Sequence, residues 1–389
     1  MKTRIITRTI WILSLVSLFT DVASEMLYPV MPIYLKSIGF SIVLIGVLEG
    51  VAEATAGLSK GYFGKMSDNM GRRLPFVRWG YSLSALSKPL MALATFPLWI
   101  FGARTMDRLG KGIRTGARDA MLSDMATPAT KGRVFGFHRS MDTLGAVIGP
   151  ALALLYLYYY PGQYKWLFYL AFIPGIAAIA FTFLLYDKAP LPKEHQIKTR
   201  LSDFFSYWKR SPTAYRRLVA GLLAFALVNS SDVFLLLKIK EAGFDDAAAI
   251  GVYIFYNLVY ALAAYPIGML ADKIGLKPTF IGGLLVFAGV YFGMAMANSL
   301  PLYFGLFFLY GIYAAATEGV AKAWISNITD KGDTGAAIGT YTGFQSVCTM
   351  LASAGTGLIW YRFGATTAFT ASGIAVLIIA GYFLSRRVR

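Results

Sequence analysis

Twelve apolar stretches of about twenty residues each dominate this chain, at 10–35, 42–64, 74–95, 98–122, 134–157, 166–186, 218–237, 247–270, 279–297, 302–325, 336–360 and 367–384. A bilayer core about 30 Å thick is crossed by roughly 20 helical residues. Inside it every backbone N–H and C=O must be satisfied within the protein, so spans of this length are helices. Charged residues make up only 15% of the chain, against about a quarter in soluble proteins. The expected fold class is therefore an all-α membrane protein with twelve transmembrane helices. Lys2, Arg4 and Arg8 before the first apolar run mimic a signal peptide, but Asp21 and Glu25 within that run argue against one.

The charge balance excludes other classes. A formal net charge of +17 could suggest a nucleic-acid partner, but its distribution follows the membrane instead. With the N-terminus inside, twenty-two Lys and Arg fall on inner loops and ends against five on outer loops. By the positive-inside rule both termini are then cytoplasmic, in a multi-pass protein of the cytoplasmic (inner) membrane, with the lipid bilayer as partner and no nucleic acid. A single cysteine, Cys348, and two histidines leave no disulfide framework and no obvious metal cluster, so no cofactor is expected. No phosphate-binding loop or other enzymatic motif is visible, so the reading is not an enzyme, and a monomer is expected.

The chain is a tandem repeat. Gly64–Arg73 (GKMSDNMGRR) is echoed by GMLADKIGLK at 268–277, and Lys36-Ser-Ile-Gly39-Phe40 by Lys240-Glu-Ala-Gly243-Phe244, both at an offset of 204. Two matched halves of six spans each imply a parallel repeat and two six-helix bundles. The expected domains are 1–186, a linker at 187–217 and 218–389. In the linker Leu201, Phe204, Phe205 and Trp208 recur at helical spacing, which predicts an interfacial helix over 202–209.

The loop pattern Gly64, Asp68, Gly71, Arg72, Arg73 has a physical sense: a glycine for the reversal and an acid placed to accept from helix amides or arginines. Its second copy keeps Gly268, Asp272 and Gly275 but has Leu276 in place of the first arginine, predicting a weaker latch there. The fifth segment carries Gly145-x-x-x-Gly149-Pro150, small residues for close helix approach followed by a bend. On these motifs the chain resembles the major facilitator superfamily of transporters, of the bacterial drug and solute–proton type, over essentially its full length. The resemblance implies alternating access, proton coupling, a loop that latches the cytoplasmic side, and, from the Gly145–Pro150 pattern, export. Arg104 and Gly110 fit the two ends of the exporters' R-x-x-Q-G-x-G, while Asp107 and Arg108 occupy its middle, leaving a proton relay through Arg104 open.

The fourth segment is the most unusual. Arg104, Asp107, Arg108, Lys111, Arg114 and Arg118 fall within about 120° of arc on a helix. Charges at membrane depth are tolerated only against a water-filled cavity or countercharges. Five cations against one anion favour an anionic or zwitterionic small-molecule substrate. Asp21 and Glu25 stand i, i+4 in segment one and are the candidates for binding coupling protons; Glu49 and Glu53 repeat the spacing in segment two and are read as partners of Arg104 or Arg108. His138, Arg139 and Asp142 are read with Arg118, Asp119 and Asp124 as an ion-pair lattice at the inner gate, with pH sensing by His138 as the alternative. Asn229, Asp232, Asn257 and Gln345 are the polar candidates of the second half, Asn229 standing where Glu25 stands in the first. The reading is a proton-coupled secondary transporter for an anionic or zwitterionic solute. Its rivals are a multidrug-type antiporter for lipophilic cations and a non-transporting membrane sensor on the same fold.

Overall fold

The computed structural model describes residues 5–28, 30–187 and 203–385. Lys2, Arg4, most of the linker (188–202) and Arg386, Arg387 and Arg389 lie outside the described residues. Fourteen helices are present among the described ones: α1 Arg8–Leu27, α2 Met31–Ser37, α3 Ile42–Met70, α4 Leu74–Leu93, α5 Pro97–Asp124, α6 Lys131–Tyr159, α7 Tyr164–Thr182, α8 Asp203–Arg210, α9 Thr213–Ala226, α10 Val233–Glu241, α11 Asp246–Ile274, α12 Leu276–Met296, α13 Leu300–Asn327 and α14 Thr334–Ser385. All regular structure in the described residues is helical, as expected. By length and hydropathy α1, α6, α7, α11, α12, α13 and α14 are apolar enough to cross a membrane.

Two breaks, one merger and the linker helix α8 take the helix count from twelve to fourteen. The first segment is broken between α1 and α2, where the sequence carries Pro29 and where Pro32 opens α2; proline lacks an N–H but suits a first helical turn. The seventh is broken between α9 and α10 by Asn229, Ser230, Ser231 and Asp232, whose side chains compete for backbone hydrogen bonds. There Ser353 Oγ accepts from the Ser231 N–H at 3.1 Å. Segments eleven and twelve run together in α14, reversing at Gly364 with φ 84°. Twelve spans remain once α1 with α2, α9 with α10, and the two arms of α14 are counted, leaving α8 in the linker.

The sequence repeat has a structural content. Gly39 and Gly243 end α2 and α10 at φ 93° and 88°, and the next helices are capped by Ser41 and Asp245, which accept from Leu44 N (3.2 Å) and Ala248 N (2.8 Å). These side chains satisfy N–H groups that a helix start leaves without partners.

The chain forms two compact units. One comprises Met1–Met125, Met141–Arg210 and Asp330–Gly343; the other comprises Ala126–Ser140, Ser211–Thr329 and Phe344–Arg389. In the first, α5 packs on α3 and α4, and α7 on α1 and α4, around Leu18, Val22, Met26, Met91, Ile100 and Phe168. In the second, α13 packs on α11 and α12, and its core is aromatic: Phe287 stacks on Tyr291 at 4.0 Å and meets Tyr313 edge-on at 4.9 Å.

Candidate functional site

In the first unit the charged stripe of α5 lies on the helix that α3 and α4 embrace. The spacing that puts its cations on one face also puts glycines between them, and these are packing residues. A Cβ on Gly110 would lie 2.6 Å from the Gly80 carbonyl oxygen of α4, and Gly112 meets Ser59 of α3. This gives Gly110 a role that the exporter pattern does not require: it lets a helix bearing eight charged groups sit tightly in the bundle.

The sequence reading did not single out the partner of Asp107. It is Lys88 of α4, whose Nζ lies 2.6 Å from Asp107 Oδ1, with both side chains buried. Ser84 donates to the same oxygen at 2.6 Å, and Arg104 approaches Oδ2 at 3.5 Å. The signal was available: a lone lysine in the apolar stretch 74–95 is costly at membrane depth and demands a partner. Arg114 is buried and stands over the Tyr81 ring at 4.5 Å, a cation–π contact. Arg108 meets the half-exposed Glu53 only at 4.0 Å, and Lys111 is exposed. Asp21 and Glu25 are half-buried on α1, and the Glu49 side chain lies outside the described residues.

The predicted gate residues separate into distinct clusters rather than one lattice. At the loop after α3, Gly71 ends the helix at φ 63°. Asp68 Oδ2 accepts from Ala336 N at 2.7 Å in the first turn of α14, and Arg73 pairs with Asp68 at 3.0 Å. Arg73 also reaches Asp124 at 3.2 Å and donates to the Lys331 carbonyl at 3.2 Å. The working cation is thus the second arginine, while Arg72 is exposed. Asp187, unnoticed in the sequence, accepts from Arg73 N and Leu74 N at 3.3 and 3.1 Å and so caps α4. Gly64 lies against Gly335 of α14 with no room for a side chain.

The second unit repeats this arrangement. Asp272 accepts from Gly132 N at 2.8 Å and Arg133 N at 3.1 Å in the first turn of α6, and Arg133 pairs with it at 3.1 Å. The cation missing at Leu276 is supplied by α6, so the second copy is not bare of charge. Arg139 donates to Tyr260 at 2.6 Å and pairs with Glu318. His138 is buried. Arg118 and Asp119 pair at 2.9 Å in the first unit, where Arg118 also donates to Ser17 and Ser17 to Asp142. At the break before α10, Asp232 accepts from Tyr310 at 2.8 Å and Asn229 donates to Tyr313 at 2.9 Å. Asn257 donates to the Tyr253 carbonyl of its own helix at 3.0 Å, and Gln345 is half-buried on α14. An apolar cleft of about 640 Å³ in the first unit, lined by Leu18, Val22, Ile148 and Leu167 among others, has no charged residue and is not the polar site.

The family model of the Major Facilitator Superfamily matches residues 13–256 and 239–389. The chain belongs to the major facilitator superfamily. It is therefore a multi-pass membrane transporter, not an enzyme, and takes a small-molecule substrate. An uncharacterised MFS-type transporter of Methanocaldococcus jannaschii is 30% identical over 97% of this facilitator and 96% of its own length. Multidrug resistance protein 2 of Bacillus subtilis is 24% identical over 69% of the chain and 68% of its own length. Among solved structures, the human organic anion transporter MFSD10 shares the fold at a TM-score of 0.78, with 18% identity, over 97% of this chain and 99% of that one.

Proposed function

We propose that this facilitator is a proton-coupled secondary transporter that moves a small anionic or zwitterionic solute across the cytoplasmic membrane by alternating access. Both termini are cytoplasmic, and the direction is export. The observation that carries the substrate charge is the Lys88–Asp107 pair at 2.6 Å. It engages the one acid of the α5 stripe with a lysine from α4 alongside Arg104, so Asp107 is already shared by two cations and does not pair with Arg108, Lys111 or Arg114. Glu53, at 4.0 Å and half-exposed, screens Arg108 only weakly. The positive field therefore favours a ligand that brings negative charge.

A second reading has its own support. Glu53 is an exposed carboxylate, and several relatives are named for multidrug resistance. A thermal-shift screen of the purified protein separates the two, because a ligand that binds the folded state raises the melting temperature by mass action. We expect stabilisation by mono- and dicarboxylates, phosphate esters or amino acids, and none by tetraphenylphosphonium. Stabilisation by the lipophilic cation alone favours the multidrug reading.

A further inference from the structure

Asp142 faces α1, and Ser17 links it to Arg118 of the expected gate group. Ser17 of α1 donates to Asp142 Oδ1, and Arg118 NH1 donates to Ser17 Oγ at 3.2 Å. Asp21 stands one turn beyond Ser17 on the same face of α1 and beside Asp142, near enough for each carboxyl to act on the other. The backbone enforces this proximity. Gly145 follows Asp142 by one turn of α6, and a Cβ on it would lie 2.6 Å from the Leu18 carbonyl oxygen and 2.8 Å from the Asp21 Cβ. One turn further, a Cβ on Gly149 would lie 2.7 Å from both Met26 N and the Val22 oxygen. The small-residue motif, read from sequence as packing, thus presses the Asp142 turn of α6 against the Asp21 turn of α1.

Two ionised carboxylates so close repel, whereas a single proton lets one donate to the other. Such a pair titrates as a unit. The charged groups that act on it are Glu25 on α1 and Lys111 and Arg118 on α5, Arg118 being flanked in turn by Asp119 and by Tyr81 of α4; His138 stands one turn before Asp142 along α6. We propose that Asp21 and Asp142 share one proton between α1 and α6, and that the Gly145–Gly149 contact holds this proton site together. Loss of the proton to water leaves two neighbouring carboxylates, and their repulsion acts directly between the two helices. The proposal rests on the proton-coupled reading and replaces Glu25 with Asp142 as the partner of Asp21.

Infrared difference spectroscopy of the purified protein tests it without a substrate. At neutral pH the wild type should show the carbonyl stretch of a protonated carboxyl, shifted in D2O and lost on alkaline titration with release of one proton per molecule. Asp21→Asn and Asp142→Asn should each abolish the band, and Glu25→Gln should keep it. Absence of the band in the wild type overturns the proposal even if neither asparagine variant folds. So does a band that survives Asp142→Asn and vanishes in Glu25→Gln. Proton coupling is judged separately, by solute flux driven by a pH gradient in proteoliposomes. Absent flux with the band intact would reject coupling and leave the shared proton standing.

Discussion

Asp107→Leu is expected to destabilise this transporter by about 3–5 kcal/mol, the cost of stranding one partner of a buried ion pair. The reason lies in what remains. Lys88 is 2% exposed and would be left with no carboxylate, while Arg104, which now leans toward Asp107 at 3.5 Å, would lose that partner too. Lys88→Met removes the other half of the pair and should cost less, because Asp107 retains Ser84 at 2.6 Å and Arg104. The double variant Lys88→Met/Asp107→Leu should recover most of the loss, since apolar replacement of a whole buried pair is often neutral. The three melting temperatures in detergent, with a thiol dye reporting on the single Cys348 as the fold opens, check the cycle. Strict additivity would mean the two groups do not interact.

Asp68→Asn is expected to loosen the loop after α3 from the first turn of α14. Asparagine can still accept from Ala336 N, now at 2.7 Å, but it loses the charge that holds Arg73 at 3.0 Å. Arg73 in turn links Asp124 and the Lys331 carbonyl, so more than one contact weakens. A charge-assisted hydrogen bond contributes about 1.5–3 kcal/mol, on the order of ten- to a hundred-fold in population. Thr340 on α14 is 1% exposed and makes a reporter once replaced by cysteine in a Cys348→Ser background. Its labelling by an impermeant thiol reagent should rise by that factor in Asp68→Asn. An unchanged rate would remove Asp68 from the latch.

The periodic features of the fold were legible in the sequence. Apolar length gave the spans, and the repeated Gly39/Gly243 and Gly71/Gly275 marked where helices end with positive φ. The breaks between α1 and α2 and between α9 and α10 were not legible, because an average over a span-length window smooths over Pro29 and Asn-Ser-Ser-Asp, which interrupt the backbone bonds. Residue types named the site's charges but not their partners. Partnership is a matter of which helices touch, and Lys88 meets Asp107 only because Gly80 and Gly110 let α4 and α5 approach. The charged residues of α6 were grouped by nearness in sequence, whereas the fold sends Arg139 to Glu318 and Asp142 to Ser17.

The central claim is that the α5 cations bind the negative charge of the solute. Titration calorimetry of the best stabilising anion against wild type, Arg108→Gln, Lys111→Gln and Arg108→Gln/Glu53→Gln tests it most directly. The account predicts a loss of roughly ten- to a hundred-fold in affinity for each single variant with the melting temperature nearly unchanged, since Arg108 meets Glu53 only at 4.0 Å and Lys111 is exposed. The double variant should stay weak. If the single variants instead melt early while the double variant regains both stability and wild-type affinity, the stripe is scaffolding and the claim fails.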